Sequence, residues 1–463
     1  MNTFNTSISK LTQNQKAFFH SDSTKKESFR REQLQILRKA ILKREQLWYE
    51  AFQKDFRKCE FEVYATEIAI VVSEIDFTLR HLSKWMKPKR VRTSLLNFPS
   101  SDYIYHDPYG VSLIIAPWNY PLQLSIVPLI GAIAAGNCAI LKPSEISSHV
   151  SSLIQKMIEE TFKPEYITVV QGDASVAQEL FQKPFDKIFF TGSTSVGKIV
   201  MQHAAKNLTP LTLELGGKCP CIVDHDAVLD VAASRITWGK FLNAGQTCIA
   251  PDYILVHESV HDQFIELMKK KIGQCYGANP QHSPDYPRII NQQHFERLQK
   301  YLSNCTIVCG GITDTNERYI APTLLTNISW NDAIMQEEIF GPILPVLTFS
   351  DLNTVIEKLK SLPKPLALYY FGSTKEQQEK ILQTTTSGGA CINETVSHLI
   401  NPRTPFGGVS TSGFGNYHGK ESFNAFSHSK SVLRKGTWFD LPLKYAPYRS
   451  KKKLLEWAFR LLG

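Results

Sequence analysis

The chain has 463 residues, of which 43% are hydrophobic and 21% charged, with a formal net charge of +9. This length allows two or three domains with full cores, and the composition excludes a disordered, collagen-like or disulfide-stapled chain. The excess charge is local, since residues 434–463 alone contribute +6, so no general nucleic-acid-binding surface is needed to explain it.

The first fifteen residues, MNTFNTSISKLTQNQ, lack the apolar core of a signal peptide. Residues 28–56 carry Leu34, Leu37, Ile41, Trp48 and Phe52 at helical spacing, and a second helix is expected over 62–86. The insertion 87–108 alternates poorly. With the short strand candidate 425–435 it is expected to pair into a small sheet outside the main body, where exposed edges recruit partners. Between them the pattern changes. Short β-branched runs, among them VSLIIAP, CAILKP, DKIFFTGS, CPCIVD, DYILVH and ALYYFG, alternate with helical segments. Apolar runs bounded by Gly, Pro and Ser, with helices between, predict parallel sheets covered on both faces. The most apolar stretch, 122–141, holds Pro128, Gly131, Gly136 and Asn137 and reads as buried strand–helix–strand, not a membrane span. The nine cysteines include no Cys-x-x-Cys pair and no His/Cys set at zinc spacing. A reduced, cytoplasmic protein without a bound metal is expected.

Several turns hold residues able to do chemistry. In APWNYP (116–121), prolines stiffen a turn that presents the Asn119 amide, suited to an oxyanion, or simply capping itself. LKPSE puts Lys142 and Glu145 at a strand's carboxyl end, where α/β sheets bind ligands and a ribose could be held; a solvated Lys–Glu pair is the alternative. FTGSTSVGK (190–198) follows a strand and opens a helix whose free N–H groups suit an anion, though it departs from the dinucleotide fingerprint; a plain strand–turn–helix junction is the alternative. LELGGK sets Glu214 late in an apolar strand, where desolvation would raise its pKa toward general-base range; pairing with Lys218 is the alternative. NAGQTC surrounds Cys248 with a polar, flexible segment unlike a core, as a nucleophilic thiolate requires; a small buried apolar residue is the alternative. QEEIFGPILPV (336–346) and the glycine-dense 401–428 read, alone, as a helix end and a surface loop.

Taken in order, APWNYP, LKPSE, FTGSTSVGK, LELGGK, GKFLNAGQTCIAPDY, EEIFGP and PFGGVSTSGFGNYHGKESFNAFSH resemble the aldehyde dehydrogenase superfamily. The last two long motifs resemble its class 3 branch of fatty- and aromatic-aldehyde enzymes. The likeness runs from about residue 30 to 436. It implies an α/β fold of two Rossmann-related parallel-sheet domains with a small β-arm for oligomerisation. It implies an NAD(P)-binding domain over 1–89 and 109–213, a catalytic domain over 214–412 and an arm from 90–108 and 425–436. Cys248 matches the nucleophile, Glu214 the general base and Asn119 the oxyanion donor, assisted by the Cys248 backbone N–H. Lys142 and Glu145 match contacts to the adenine-side ribose, and Gly192 and Ser193 the pyrophosphate site. Glu338 and Phe340 match residues at the nicotinamide ribose and ring. Tyr120, Thr247, Ile249, His398 and Phe406 would line the substrate, while Gly216 and Gly245 would leave room for cofactor and substrate.

The implied activity is oxidation of medium- or long-chain aliphatic or aromatic aldehydes to acids through a thiohemiacetal and a thioester, by a homodimer. Glu145 favours NAD, with NADP as the alternative. The chain departs from the family pattern at 396–405, which should face the substrate, and at Ser410, where glycine is expected. The tail 443–463 is basic and amphipathic, with Leu454, Leu455, Ala458, Leu461 and Leu462 at helical spacing. It suits packing on a subunit or attachment to the inner, anionic membrane surface. Rival readings are a cofactor-independent thiol hydrolase, an enzyme passing its thioester to coenzyme A, which the retained Glu214 argues against, and a catalytically silent scaffold.

Overall fold

The computed structural model describes residues 2–94, 97–303, 305–440 and 442–462. Two large sheets organise it. In the six-stranded sheet the order is Gly413–Phe414, Leu211–Glu214, Lys187–Thr191, Val111–Ile115, Cys138–Lys142 and Ile167–Val169. In the seven-stranded sheet it is Thr306–Cys309, Thr323–Thr326, Ile343–Phe349, Tyr253–His257, Pro220–Val223, Ala367–Phe371 and Gly389–Ile392. The central pairings of both are parallel. The expected α/β architecture of two parallel sheets is therefore present. The strands Val111–Ile115, Cys138–Lys142, Lys187–Thr191, Pro220–Val223 and Ala367–Phe371 are buried along their whole length, as apolar strands covered on both faces must be.

The last motif returns to the first sheet. Gly413 pairs with Glu214 in an antiparallel ladder, and the helix Gly419–Ala425 packs on the helix Pro121–Ala135. The segment carrying Tyr417 and His418 thus lies beside the strand that carries Glu214. The arm also forms. Ser427–Lys435 pairs antiparallel with Ser100–Pro108, which pairs with Lys89–Val91, so the two distant segments make one three-stranded sheet.

Three local expectations are corrected. The helix expected over 28–56 breaks into Glu27–Leu42 and Glu45–Phe56, letting the first pack on Ala69–Met86 and the second on Ser148–Thr161. The helix expected over 62–86 begins earlier, at Glu60–Val63, and opens into a π-helical turn, Tyr64–Ile68, before continuing as Ala69–Met86. Such turns collect at functional sites. Residues 122–141 are a helix followed by a strand, not strand–helix–strand. The helix starts at Pro121, whose missing N–H costs nothing at a helix start.

Candidate active site

Two cavities meet at Cys248. One, of about 420 Å³, is lined by Asn119, Gly192, Ser193, Glu214, Glu338 and Phe340 among others. The other, of about 380 Å³, is lined mostly by apolar side chains, among them Leu124, Trp238, Leu242, Ile249, Leu399 and Ile400. Leu124, Cys248, Phe406 and Tyr417 line both. The sulfur therefore stands where a polar cleft opens into an apolar chamber.

The segment before Cys248 is held under strain. Asn243 and Ala244 adopt left-handed backbone, φ +53° and +51°, which costs a non-glycine residue roughly 1–3 kcal/mol. Hydrogen bonds fix it. Asn243 Nδ2 donates to the carbonyls of Asn119 (2.8 Å) and Gln246 (3.2 Å), and Asn119 Nδ2 donates to the Gln246 carbonyl at 3.1 Å. One Asn119 amide hydrogen is thus anchored, and the other is left for a ligand. Gly245 holds a left-handed φ of +74°. A Cβ there would meet the Gly341 carbonyl oxygen at 2.3 Å, so the glycine lets two backbones pass.

Electrostatics oppose any free negative charge here. Burial pushes the Cys248 thiol up to about 12, and the nearby Glu338 and Glu214 carboxylates add to the shift. The backbone N–H groups of Cys248 and Ile249 pull the other way by pointing at the sulfur. Glu214 ends its strand 3% exposed, with both carboxyl oxygens lacking any protein partner. Burial alone raises its pKa well above the ordinary carboxyl value. It does not pair with Lys218, whose ammonium instead binds Asp252 and the carbonyls of Ile334 and Glu337. Glu338 is pushed up to about 8, first by burial and then by Asp252. It lies against Gly216, where a Cβ would sit 2.0 Å from its Oε2, and Gly216 itself lines the polar cleft.

The cleft has what a dinucleotide requires. Ser193 caps the helix Thr194–Ala205, whose first N–H groups face the cleft beside Gly192 and suit a pyrophosphate. The Thr191 hydroxyl and both Glu214 oxygens are buried there without partners. Phe340 holds φ +53° and meets Trp118 edge-on at 5.3 Å across the same cleft. Lys142 and Glu145 stand apart from these lining residues. They form an ion pair at 2.6 Å, Lys142 buried and Glu145 exposed.

Of the five expected substrate-lining residues, Tyr120, Thr247, Ile249 and Phe406 line the apolar chamber, and the Tyr120 and Thr247 hydroxyls bond at 2.7 Å. His398 does not. Its ring stacks on Phe406, and its Nδ1 lies 3.3 Å from the Cys391 thiol, so packing turns it away from the chamber. Its neighbours Val396, Ser397, Leu399 and Ile400 line the chamber instead, so the divergent loop does face it. Ser410, where the family pattern led to glycine being expected, holds φ +59°, a left-handed conformation that favours glycine. Sequence reasoning missed Tyr417, 2% exposed and lining both cavities, because its glycine-dense surroundings read as surface loop. It also missed Trp238 and the π-turn residues Ala65 and Thr66, whose only signal was an interrupted helical period.

Residues 5–432 match the sequence model of the aldehyde dehydrogenase family. The chain belongs to the aldehyde dehydrogenase family. It is 50% identical over 447 residues to the 4,4'-diaponeurosporen-aldehyde dehydrogenase of Staphylococcus aureus, covering 96% of this chain and 97% of that one. It is 44% identical over 426 residues to the mouse (Mus musculus) dimeric NADP-preferring aldehyde dehydrogenase, covering 92% and 94%. Its structure matches the substrate-bound Staphylococcus aureus AldH with a TM-score of 0.96, at 49% identity and with coverage of 98% and 99%. This aldehyde dehydrogenase is therefore an oxidoreductase that converts aldehydes to acids. The thiol-hydrolase and silent-scaffold readings are set aside by that membership.

Among the described residues, no helix is long and apolar enough to cross a membrane. The tail forms the helix Lys452–Leu462. Leu454, Leu455, Trp457 and Phe459 on it are exposed. The side chains of Ala458, Leu461 and Leu462 lie outside the described residues.

Proposed function

We propose that this enzyme oxidises long, apolar aldehydes with NAD(P), using Cys248 as nucleophile, Glu214 as base and Asn119 as oxyanion donor. The carrying observation is Cys248 at the junction of a polar cleft and an apolar chamber. The Cys248 thiol gives up its proton to solvent, and the thiolate attacks the carbonyl carbon, forming an S–C bond and a tetrahedral oxyanion. The free Asn119 N–H and the Cys248 backbone N–H receive that oxygen; one such donor is worth about 2.7–4 kcal/mol. When bound, NAD(P) supplies the hydride acceptor, which leaves a thioester on Cys248. Glu214 then takes a proton from water, the hydroxide adds to the thioester, the S–C bond breaks and the acid departs. Glu338 and Phe340 would hold the nicotinamide ribose and ring, and Gly192 and Ser193 the pyrophosphate. Lys142 and Glu145 would take the adenine-side ribose. The ion pair softens the repulsion between Glu145 and a 2′-phosphate, so NADP is admitted beside NAD. On this reading residues 1–89 and 109–213 serve the cofactor and 214–412 the chemistry.

The relative named for a diaponeurosporen-aldehyde supports a long apolar substrate, as does the chamber lining. A straight-chain aldehyde series with purified enzyme tests this through the appearance of reduced nicotinamide. kcat/KM is expected to rise about fourfold per methylene, the value of about 0.8 kcal/mol per buried CH₂, until the chamber is filled. A preference for the shortest aldehydes would overturn the reading.

The arm sheet, reaching residues 100–108 and 427–435, would serve a homodimer, as the name of the dimeric mouse relative suggests. The reduced cytoplasm suits an enzyme with nine unpaired cysteines. The tail would lie on an anionic membrane, its exposed Leu454, Leu455, Trp457 and Phe459 entering the interface and Lys451–Lys453 meeting headgroups. Co-sedimentation with phosphatidylglycerol vesicles is expected for the full chain and is expected to be lost in a chain ending at Ala446. Equal partitioning of the two would eliminate membrane contact.

A further inference from the structure

Lys58 is a buried cation that the reaction above does not use. Its side chain is fully buried, and its ammonium has no hydrogen-bond partner. It sits 4.4 Å above the Tyr120 ring, with the rings of Phe52 and Phe56 at 5.6 and 5.7 Å, and 3.5 Å from Glu62 Oε1. That same Glu62 oxygen accepts the backbone N–H of Asn243 at 2.9 Å. A second buried carboxylate, Glu67, also acts on Lys58, and its Oε2 accepts the Gln123 N–H at 2.7 Å.

Each end of this pair touches one half of the reactive centre. Lys58 lies on Tyr120, the neighbour of Asn119. Glu62 holds Asn243, the first of two left-handed residues ahead of Cys248, and Asn243 in turn bonds to the Asn119 and Gln246 carbonyls. A buried ion pair adds little stability over apolar residues of the same size, so stability alone does not account for one here. A directed acceptor for the Asn243 N–H does. Without it the strained segment is free to relax to ordinary backbone. That would shift the Gln246 carbonyl that anchors the Asn119 amide, and Cys248 two residues beyond.

We propose that Glu62 is a positioning residue that fixes Cys248 and Asn119 relative to each other; this rests on Cys248 being the nucleophile. The decisive comparison is between two double variants, Lys58→Met with Glu62→Gln and Lys58→Met with Glu62→Leu. Both remove the buried charges, and only the first keeps an acceptor for the Asn243 N–H. The Leu variant is expected to lose about ten- to a hundredfold in kcat per active site, with the KM for NAD little changed, because small misplacements of reacting groups cost that much. It is also expected to lose a similar factor in the rate of Cys248 alkylation by iodoacetamide, measured without cofactor. The Gln variant is expected to recover most of both. Equal kcat and equal alkylation rates in the two doubles, whatever their melting temperatures, would overturn the proposal. Cys248→Ala serves as the control. If it oxidises aldehyde at the wild-type rate, the nucleophile assignment fails instead, and the two failures are distinct.

Discussion

Cys248→Ala is expected to abolish aldehyde oxidation while leaving NAD(P) binding unchanged. Among the described residues, the lost group is the only thiol lining both cavities, and no neighbour replaces it. Cys219 is fully buried and donates its thiol to the Cys248 carbonyl at 3.5 Å. Cys391 is buried against His398. Alanine removes the sulfur without adding bulk, and the groups proposed to hold the cofactor, Ser193, Glu338 and Phe340, belong to other segments. Steady-state absorbance of reduced nicotinamide measures the first effect and fluorescence titration of the cofactor the second. Retained oxidation would remove the covalent step. Weakened cofactor binding with retained oxidation would instead make Cys248 part of the cofactor site. The thiol's high pKa has a visible consequence in the wild type. With burial and two carboxylates raising it to about 12, alkylation in the cofactor-free enzyme is expected to climb with pH well past the range of a free thiol, about 8.5.

The parts of this site that were legible in the sequence are those where local chemistry and global position agree. Continuous apolar runs such as VSLII and KIFFT can only be strands buried on both faces, and the turns at their ends carry Asn119, Ser193 and Glu214 into the cleft. What stayed hidden depends on distant packing. Lys58, Glu62 and Glu67 look like solvent-facing residues of a helix, yet all three are buried, Lys58 against the rings of Phe52, Phe56 and Tyr120, Glu62 against Asn243 and Glu67 against Gln123. Tyr417 reads as part of a loop because its burial draws on Phe189, far away in sequence. His398 is polar and sits in the substrate-facing loop, but a single turn of backbone points it at Cys391 while Leu399 and Ile400 face the chamber. Gly216 and Gly245 were expected to leave room for cofactor and substrate, and each is also a place where two segments approach closely. Their true neighbours, Glu338 and the Gly341 carbonyl, come from a motif more than ninety residues on.

Glu214→Gln is expected to release about one equivalent of reduced cofactor per site and then nearly stop, losing roughly 10²–10⁴-fold in turnover. The amide cannot take a proton from water, so the acyl group stays on Cys248. Rapid mixing detects the burst, and mass spectrometry of the stalled enzyme should find the acyl adduct. Full-speed turnover would remove Glu214 from the base role. The same substitution carries a stability signature with a definite sign. Burial raises the Glu214 pKa in the folded state, so folding favours the protonated form. The wild type therefore loses stability as pH rises from the free carboxyl value, about 4.3, toward the raised one, because the unfolded chain ionises first. Glutamine does not titrate. The melting temperature of Glu214→Gln relative to wild type is expected to grow across that window, while the rise of wild-type kcat with pH flattens in the variant. A difference in melting temperature that is constant with pH would mean that Glu214 reaches water freely, and a carboxylate with water already at hand would leave the desolvated base without its physical cause.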